Sequence, residues 1–410
     1  MRIDKHSYII TGIAIAIYFA VFFSLKLQVN ADIMYSTTDS KSYLAVSEWL
    51  KSGVTTSYTE IRPILYPLII RFSSIFSEIW GLWALQVLFW IGAVYLTFRS
   101  IFELTKNLTY AYVGTSVIAS NFSLIALTFH ALTEVSTTFF LSLLVYFMAK
   151  NIKRYREPYF LNNTLAILGL LTIVKPVFLF PLMIGLFIIL PVFYLRSYLS
   201  APVRILYLAL LLIPFFGQLS LMKVKHDTVT VSKIGSETVR NFLIARGIHE
   251  LEDMPMQEAV DQVIALSDED VKDYTLANKL HYVKLFFSNV QSNIKAPASF
   301  LSNPTGYEHP GYSGFMRHIN NLYFLLHILF LPLTVILAIS FYRSKEFPQL
   351  SILVLLYLLA SYFVIVSGVS FWQGDRLVLP SIAIWPCVYT VVVYYLTRLP
   401  AIGDQNIATV

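Results

Sequence analysis

Cysteine is almost absent from this chain: Cys387 is the only one in 410 residues, so no internal disulfide can brace a loop. Charge is also sparse. Asp, Glu, Lys and Arg together make 13% of the residues, against about 25% in an ordinary soluble chain. Glycine, at 16 residues, is too rare for a linker-rich or low-complexity chain. There is no P-loop, no G-x-G-x-x-G and no G-x-S-x-G, and no His/Cys/Asp/Glu set at metal-ligand spacing. What fills the space is apolar: 57% hydrophobic residues and a mean hydropathy of +0.65. A soluble core of this size cannot hide that much apolar surface, which excludes a soluble enzyme, a disordered scaffold and a nucleic-acid binder. The net charge of +6 fits the Lys and Arg that membrane proteins collect on cytoplasmic loops.

Apolar runs of about 18 residues predict membrane helices. Ten intervals qualify: 8–27, 80–98, 108–128, 132–149, 159–174, 177–195, 203–222, 321–342, 349–370 and 378–397. The first is too long for a signal-peptide core and no small-residue cleavage site follows it. A cytoplasmic N-terminus places 13 basic residues inside: Arg2, Lys5, Arg99, Lys106, Lys150, Lys153, Arg154, Arg156, Arg196, Arg204, Arg343, Lys345 and Arg398. Only Lys175 and Arg376 then lie on the short outer connections after the fifth and ninth intervals. The positive-inside rule therefore predicts both termini inside. Residues 63–79 are apolar, but crossing would put Arg71 mid-bilayer at about 2.5–3.5 kcal/mol. Together with 40–52, whose Tyr43, Val46, Trp49 and Leu50 form one face before Gly53, they read as interfacial helices.

The domain reading is a membrane module over 1–222 with a first external loop at 28–79, an external helical loop at 223–320, and C-terminal spans in 321–410. The late loop carries 12 of the 24 acidic residues. Ser267 to Asp270 reads as a capping box opening a helix through Asn293, with Leu276, Leu280, Val283, Phe287 and Val290 as its apolar stripe.

Charges that are costly at a membrane mark functional positions. Asp39, Arg62, Glu134, Lys175, Asp375 and Arg376 all fall at the external face, which predicts a cavity that handles an anion and moves a proton. Each has a plainer reading: Asp39 as a helix N-cap, Arg62 and Lys175 as snorkelling residues, Glu134 as a cap, Asp375–Arg376 as a local ion pair. His130 reads as a buried, hydrogen-bonded histidine. Asp39 has Ser40 beside it rather than a second acid, so a carboxylate cage for a divalent metal is not favoured and no cofactor is expected.

The order of these pieces resembles the GT-C superfamily of membrane glycosyltransferases, particularly the branch of dolichyl-phosphate-mannose–protein mannosyltransferases and the lipid A aminoarabinose transferase. The similar features are Asp39, Tyr43 and Gly53 after the first span; Arg62-Pro63 leading into Ile64-Leu65-Tyr66-Pro67-Leu68; Thr133-Glu134; Lys175-Pro176; and Arg376 followed by Leu377-Val378-Leu379-Pro380. The likeness covers 1–200 and the last 35 residues. It implies an all-α polytopic GT-C-like fold with about ten spans, in a bacterial plasma membrane with the site facing the periplasm or exterior. It implies transfer of a sugar from a polyprenyl phosphate to an acceptor hydroxyl on a lipid, glycan or protein. Asp39 would be the general base of an inverting attack, Arg62, Arg376 and Lys175 would hold the donor phosphate, and Tyr43, Glu134 and Asp375 would support them. Two rivals remain. A lipid-linked-sugar flippase would place its charges nearer the midplane. A lipid-linked glycan polymerase or ligase would use Arg residues of the late loop, where Arg240 and Arg246 lie.

Overall fold

The computed structural model describes residues 2–26, 31–54, 56–297, 310–371 and 373–398. Among them the chain is helical throughout, with no strand. Seven helices are long and apolar enough to cross a membrane. These are α1 (Arg2–Ser24), α4 (Trp80–Thr105), α7 (Glu134–Asn151), α9 (Pro176–Leu199), α17 (Pro310–Arg343), α18 (Phe347–Val366) and the segment ending in α19 (Trp385–Leu396). The pair α10 (Val203–Leu211) and α11 (Ile213–His226) is as apolar but bent by 60° at its break, the shape of a broken span or of a re-entrant loop. This is an all-α, multi-pass membrane protein.

All ten apolar intervals fold largely as helix, but two give helices of fewer than 18 residues. The 108–128 interval gives only α5 (Leu108–Ala119), because the Asn121 side chain accepts from the Leu124 amide (2.8 Å) and starts a separate turn, α6 (Phe122–Leu127). The other is α8 (Pro158–Val174), which ends where Pro176 forces Lys175 into extended backbone. In α9, Pro191 lacks an amide hydrogen, and the surrounding stretch Gly185–Tyr194 widens to π-helical bonding.

Two helices cap the start of α4. One, α2 (Thr38–Ser52), runs between Thr37, whose hydroxyl accepts from the Ser40 amide (3.0 Å), and Gly53, whose φ of 73° suits glycine. The N-cap is therefore Thr37, not Asp39. The other, α3 (Leu65–Ser73), is shorter than the 63–79 read from sequence: the Ser73 and Ser74 hydroxyls donate back to Ile70 and Arg71 carbonyls and end it. Nine residues span about 14 Å, too short to cross. Tyr43, Tyr66, Ile70 and Leu82 bury together and seat α2 and α3 on α4.

The late loop forms a small helical body: α12 (Ile234–Thr238), continued by the π turn Val239–Ile244, then α13 (Ala245–Glu252), α14 (Met256–Ala265), α15 (Asp268–Ala277) and α16 (Lys279–Lys295). Residues 298–309 of the predicted 223–320 loop lie outside the described residues. The Ser267–Asp270 capping box is present. The helix it opens stops at Asn278, which donates its side-chain amide to the Tyr274 carbonyl (3.0 Å), so the single helix to Asn293 is two. The predicted stripe is also misplaced. Leu276, Leu280, Val283 and Phe287 face outward, while Tyr282, Leu285, Asn289 and Asn293 face the protein. Asn289 and Asn293 donate to the carbonyls of Gly368, Ser367 and Ser370 at the top of α18, which is why a polar face turns inward.

Candidate functional site

The site lies where α2, α7, α8 and the turn before α19 meet. Asp39 stands in the first turn of α2 and its two oxygens part company: Oδ1 accepts from Arg62 Nη2 and Oδ2 from Arg376 Nη2, each at 2.5 Å. Arg62 also donates Nε to the Ser42 hydroxyl (2.8 Å) and lies over the Tyr43 ring, 4.7 Å from its centre. Tyr43 therefore positions Arg62 through its ring. Arg376 donates Nε to Glu134 Oε1 (3.0 Å) and Nη1 to Gln373 (3.1 Å). Lys175 Nζ reaches the same Glu134 oxygen at 3.2 Å.

Each placement has a local cause. Glu134 begins α7 after a loop pinned by Gln86, which is fully buried and donates to the carbonyls of Thr128 and His130. Lys175 is held at the end of α8 by the proline that stops it. Arg376 rides a turn (Gly374–Leu377) fastened from behind: the Asp375 amide donates to the Ala296 carbonyl (2.9 Å), and its carboxylate accepts from Ser123 (2.8 Å) and Asn320 (3.0 Å). Asp375 does not line the cavity; it anchors the turn that carries Arg376. The remaining six, Asp39, Tyr43, Arg62, Glu134, Lys175 and Arg376, line one cavity of about 590 Å³.

That cavity has two characters. Its charged end holds three cations and two carboxylates, which leaves one positive charge. Its other end runs between α9 and α18, walled by Leu179, Phe180, Met183, Phe363 and Val366, toward the outward-facing Phe180 and Met183. Tyr362 closes part of that gap by donating to the Val177 carbonyl (2.6 Å) and stacking on Phe180. A third wall comes from the late loop, through Ser232, Ile234, Thr238 and Phe242. Residues 228–235 strap over 60–64: Gln218 accepts from the Ile64 amide (3.1 Å) and donates to the Val231 carbonyl (2.8 Å), and the Lys233 amide donates to the Glu60 carbonyl (3.0 Å). Sequence reasoning missed these late-loop wall residues and Gln373, because none belongs to a recognisable motif. For Gln373 the available signal was its position one turn before Arg376.

Burial works against the charge of Asp39, yet Arg376 and Arg62 outweigh it and hold the carboxyl well below the usual carboxylate range. Burial likewise opposes the charge on Arg376, and Glu134 and Asp39 more than restore it. At His130 burial acts with Arg376 to push the imidazole down to about 4, so it is neutral near pH 7. Arg240 and Arg246 do not reach the cavity. The first pairs with Asp268 and donates to the carbonyls of Val263 and Leu266, and the second binds Glu250 and Asn289 within the late loop.

Comparison of the chain with protein-family models, with curated proteins and with solved structures gives no match. Among the described residues no three His, Cys, Asp or Glu side chains group as metal ligands. Fold and site together define a polytopic α-helical membrane protein with one cavity lined by charged side chains and by apolar residues of two long apolar helices.

Proposed function

We propose that the protein is a membrane glycosyltransferase of GT-C type that takes a sugar from a polyprenyl-phosphate donor. The observation that carries this reading is one cavity with a net positive charge at one end and an apolar corridor between two spans at the other. A polyprenyl phosphodiester has that division: one negative charge at the sugar, a long hydrocarbon beyond it. Arg62 and Arg376 suit the phosphate because a guanidinium can offer paired hydrogen bonds, and Lys175 adds a point charge. The acceptor oxygen attacks the anomeric carbon, the carbon–oxygen bond to phosphate breaks, and the phosphate leaves with the electron pair. Asp39 takes the acceptor proton, and attack opposite the leaving group inverts the centre. Glu134 holds Arg376 and Lys175 in place.

The finer topology belongs to the same proposal: ten crossings with α5 and α8 included, α2 and α3 at the interface, and the cavity on the outer side of a bacterial plasma membrane. The polymerase or ligase reading loses support, since Arg240 and Arg246 are engaged away from the cavity.

The test is transfer by purified protein in nanodiscs, using a radiolabelled polyprenyl-phosphate-sugar pool and acceptors extracted from source membranes. Asp39→Asn should keep its thermal stability within a few degrees and lose about 10²–10⁴-fold in rate. Arg376→Ala should lose about ten- to a hundredfold, with partial recovery in Arg376→Lys. Near-normal transfer by well-folded Asp39→Asn, or none by the wild type, overturns the proposal.

A further inference from the structure

The ion pairs of Asp39 weaken it as a base. Its two oxygens each accept from a different arginine, and the two positive charges against them disfavour protonation of the carboxylate. The arrangement nevertheless has a chemical meaning. A carboxylate offers two oxygens sharing one negative charge, and so does the phosphate of a diester, through its two non-bridging oxygens. Asp39 occupies the position between Arg62 and Arg376 that such a phosphate would take.

We propose that Asp39 is the site's internal stand-in for the donor phosphodiester: the incoming phosphate displaces the carboxylate from Arg62 and Arg376, and only then is Asp39 free to accept a proton. This rests on the anion-binding reading of the cavity and deepens it by making the base available only when donor is bound.

Three features make the exchange possible for Asp39 and not for Glu134. Asp39 is the more accessible carboxylate, with 30% of its side chain exposed against 1% for Glu134. The capping of α2 falls to Thr37, so the helix start does not depend on the Asp39 side chain. Arg376 does not lose its place when Asp39 lets go, because Glu134 keeps its Nε and Gln373 its Nη1. Arg62 is retained in the same way by Ser42 and the Tyr43 ring. The exchange is neutral in charge at the arginines: one singly charged, two-oxygen acceptor replaces another. Without the phosphate diester, water in the cavity meets a carboxylate already engaged by two arginines.

The experiment measures binding without chemistry. Farnesyl methyl phosphate, a singly charged diester, is titrated into wild-type protein, Asp39→Asn and Glu134→Gln in nanodiscs, with thermal unfolding followed for each. A competitor that must be displaced weakens the ligand, so Asp39→Asn should bind about tenfold or more tighter than wild type, the equivalent of one charge-assisted bond no longer broken. Glu134→Gln raises the net charge by the same amount but loosens Arg376, and should not bind tighter. Equal or weaker binding by Asp39→Asn overturns the exchange, and equal tightening by both variants reduces it to bulk electrostatics. Failure of the wild type to bind the diester overturns the anion-binding reading itself. A structure of the wild type with the diester bound gives the same answer without mutation: Asp39 still bonded to both arginines sinks the exchange.

Discussion

At the scale of single residues, the electrostatics of Asp39 make it both a functional group and a brace. Two guanidinium groups from positions 337 and 23 residues distant close on one carboxylate, so the ion pairs tie the 31–79 segment to the turn before α19. The sign of the pH effect follows from the direction of its shift. A carboxyl lowered in the folded state stabilises above its unfolded value, about 3.9, and loses that contribution as pH falls through the folded value. The stability gap between wild type and Asp39→Asn should therefore be constant from pH 8 to about pH 5 and narrow below pH 4. Thermal unfolding in detergent across that range measures it, and a gap that changes between pH 6 and 8 would show that another group governs it. The residues themselves were legible in the sequence because each stands at a position where a charge is expensive. Asp375 stands out for the same reason, but its cost is met by Ser123 and Asn320 behind the Arg376 turn, and sequence spacing does not reveal partners 252 and 55 residues away.

At the scale of elements, the site depends on how closely α3 passes the start of α4. Gly81 is the contact: a Cβ there would lie 2.2 Å from the backbone carbonyl oxygen of Ser73. Backbone cannot rotate out of the way as a side chain can, so Gly81→Ala must push α3 outward and disturb the packing of Tyr66 and Tyr43 beneath Arg62. Overpacking of this kind costs about 1–3 kcal/mol. A fall of several degrees in thermal unfolding temperature and a weaker affinity for the prenyl diester are expected. An unchanged unfolding temperature would place α3 and α4 further apart. Element existence was readable because hydropathy and capping residues are local signals. Thr37, Gly53, Ser267 and the Lys175–Pro176 pair each act within four residues of themselves. What was not readable depended on distant partners. The inward face of α16 is polar because Asn289 and Asn293 satisfy carbonyls on α18, and an apolar-face rule places that helix the wrong way round.

At the scale of the whole molecule, the helices separate two ends. Arg99 near the end of α4 pairs with Asp4 at the start of α1, while Trp83 near the start of α4 donates to Tyr18 further along α1 (2.9 Å), so the two run antiparallel. The cavity belongs to the end where α4 starts, where α8 finishes at Lys175 and where α18 finishes before Ser367. The basic residues cluster at the other end, in 150–156 before α8 and 343–345 before α18. The positive-inside rule then predicts that the cavity faces away from the cytoplasm. Cysteine scanning tests that orientation, because native Cys387 is fully buried and gives no background. Lys41 and Ser288 are exposed at the cavity end and Ser344 is exposed at the basic end. Lys41→Cys and Ser288→Cys should react with a membrane-impermeant maleimide on intact cells, and Ser344→Cys should react only after the membrane is opened. Ser40, although adjacent, is fully buried and would report nothing. Labelling of Ser344→Cys from outside would turn the molecule over and put the cavity in the cytoplasm. The donor would then be presented on the inner leaflet, and the external acceptor would have to be abandoned while the chemistry of Asp39, Arg62 and Arg376 stood unchanged.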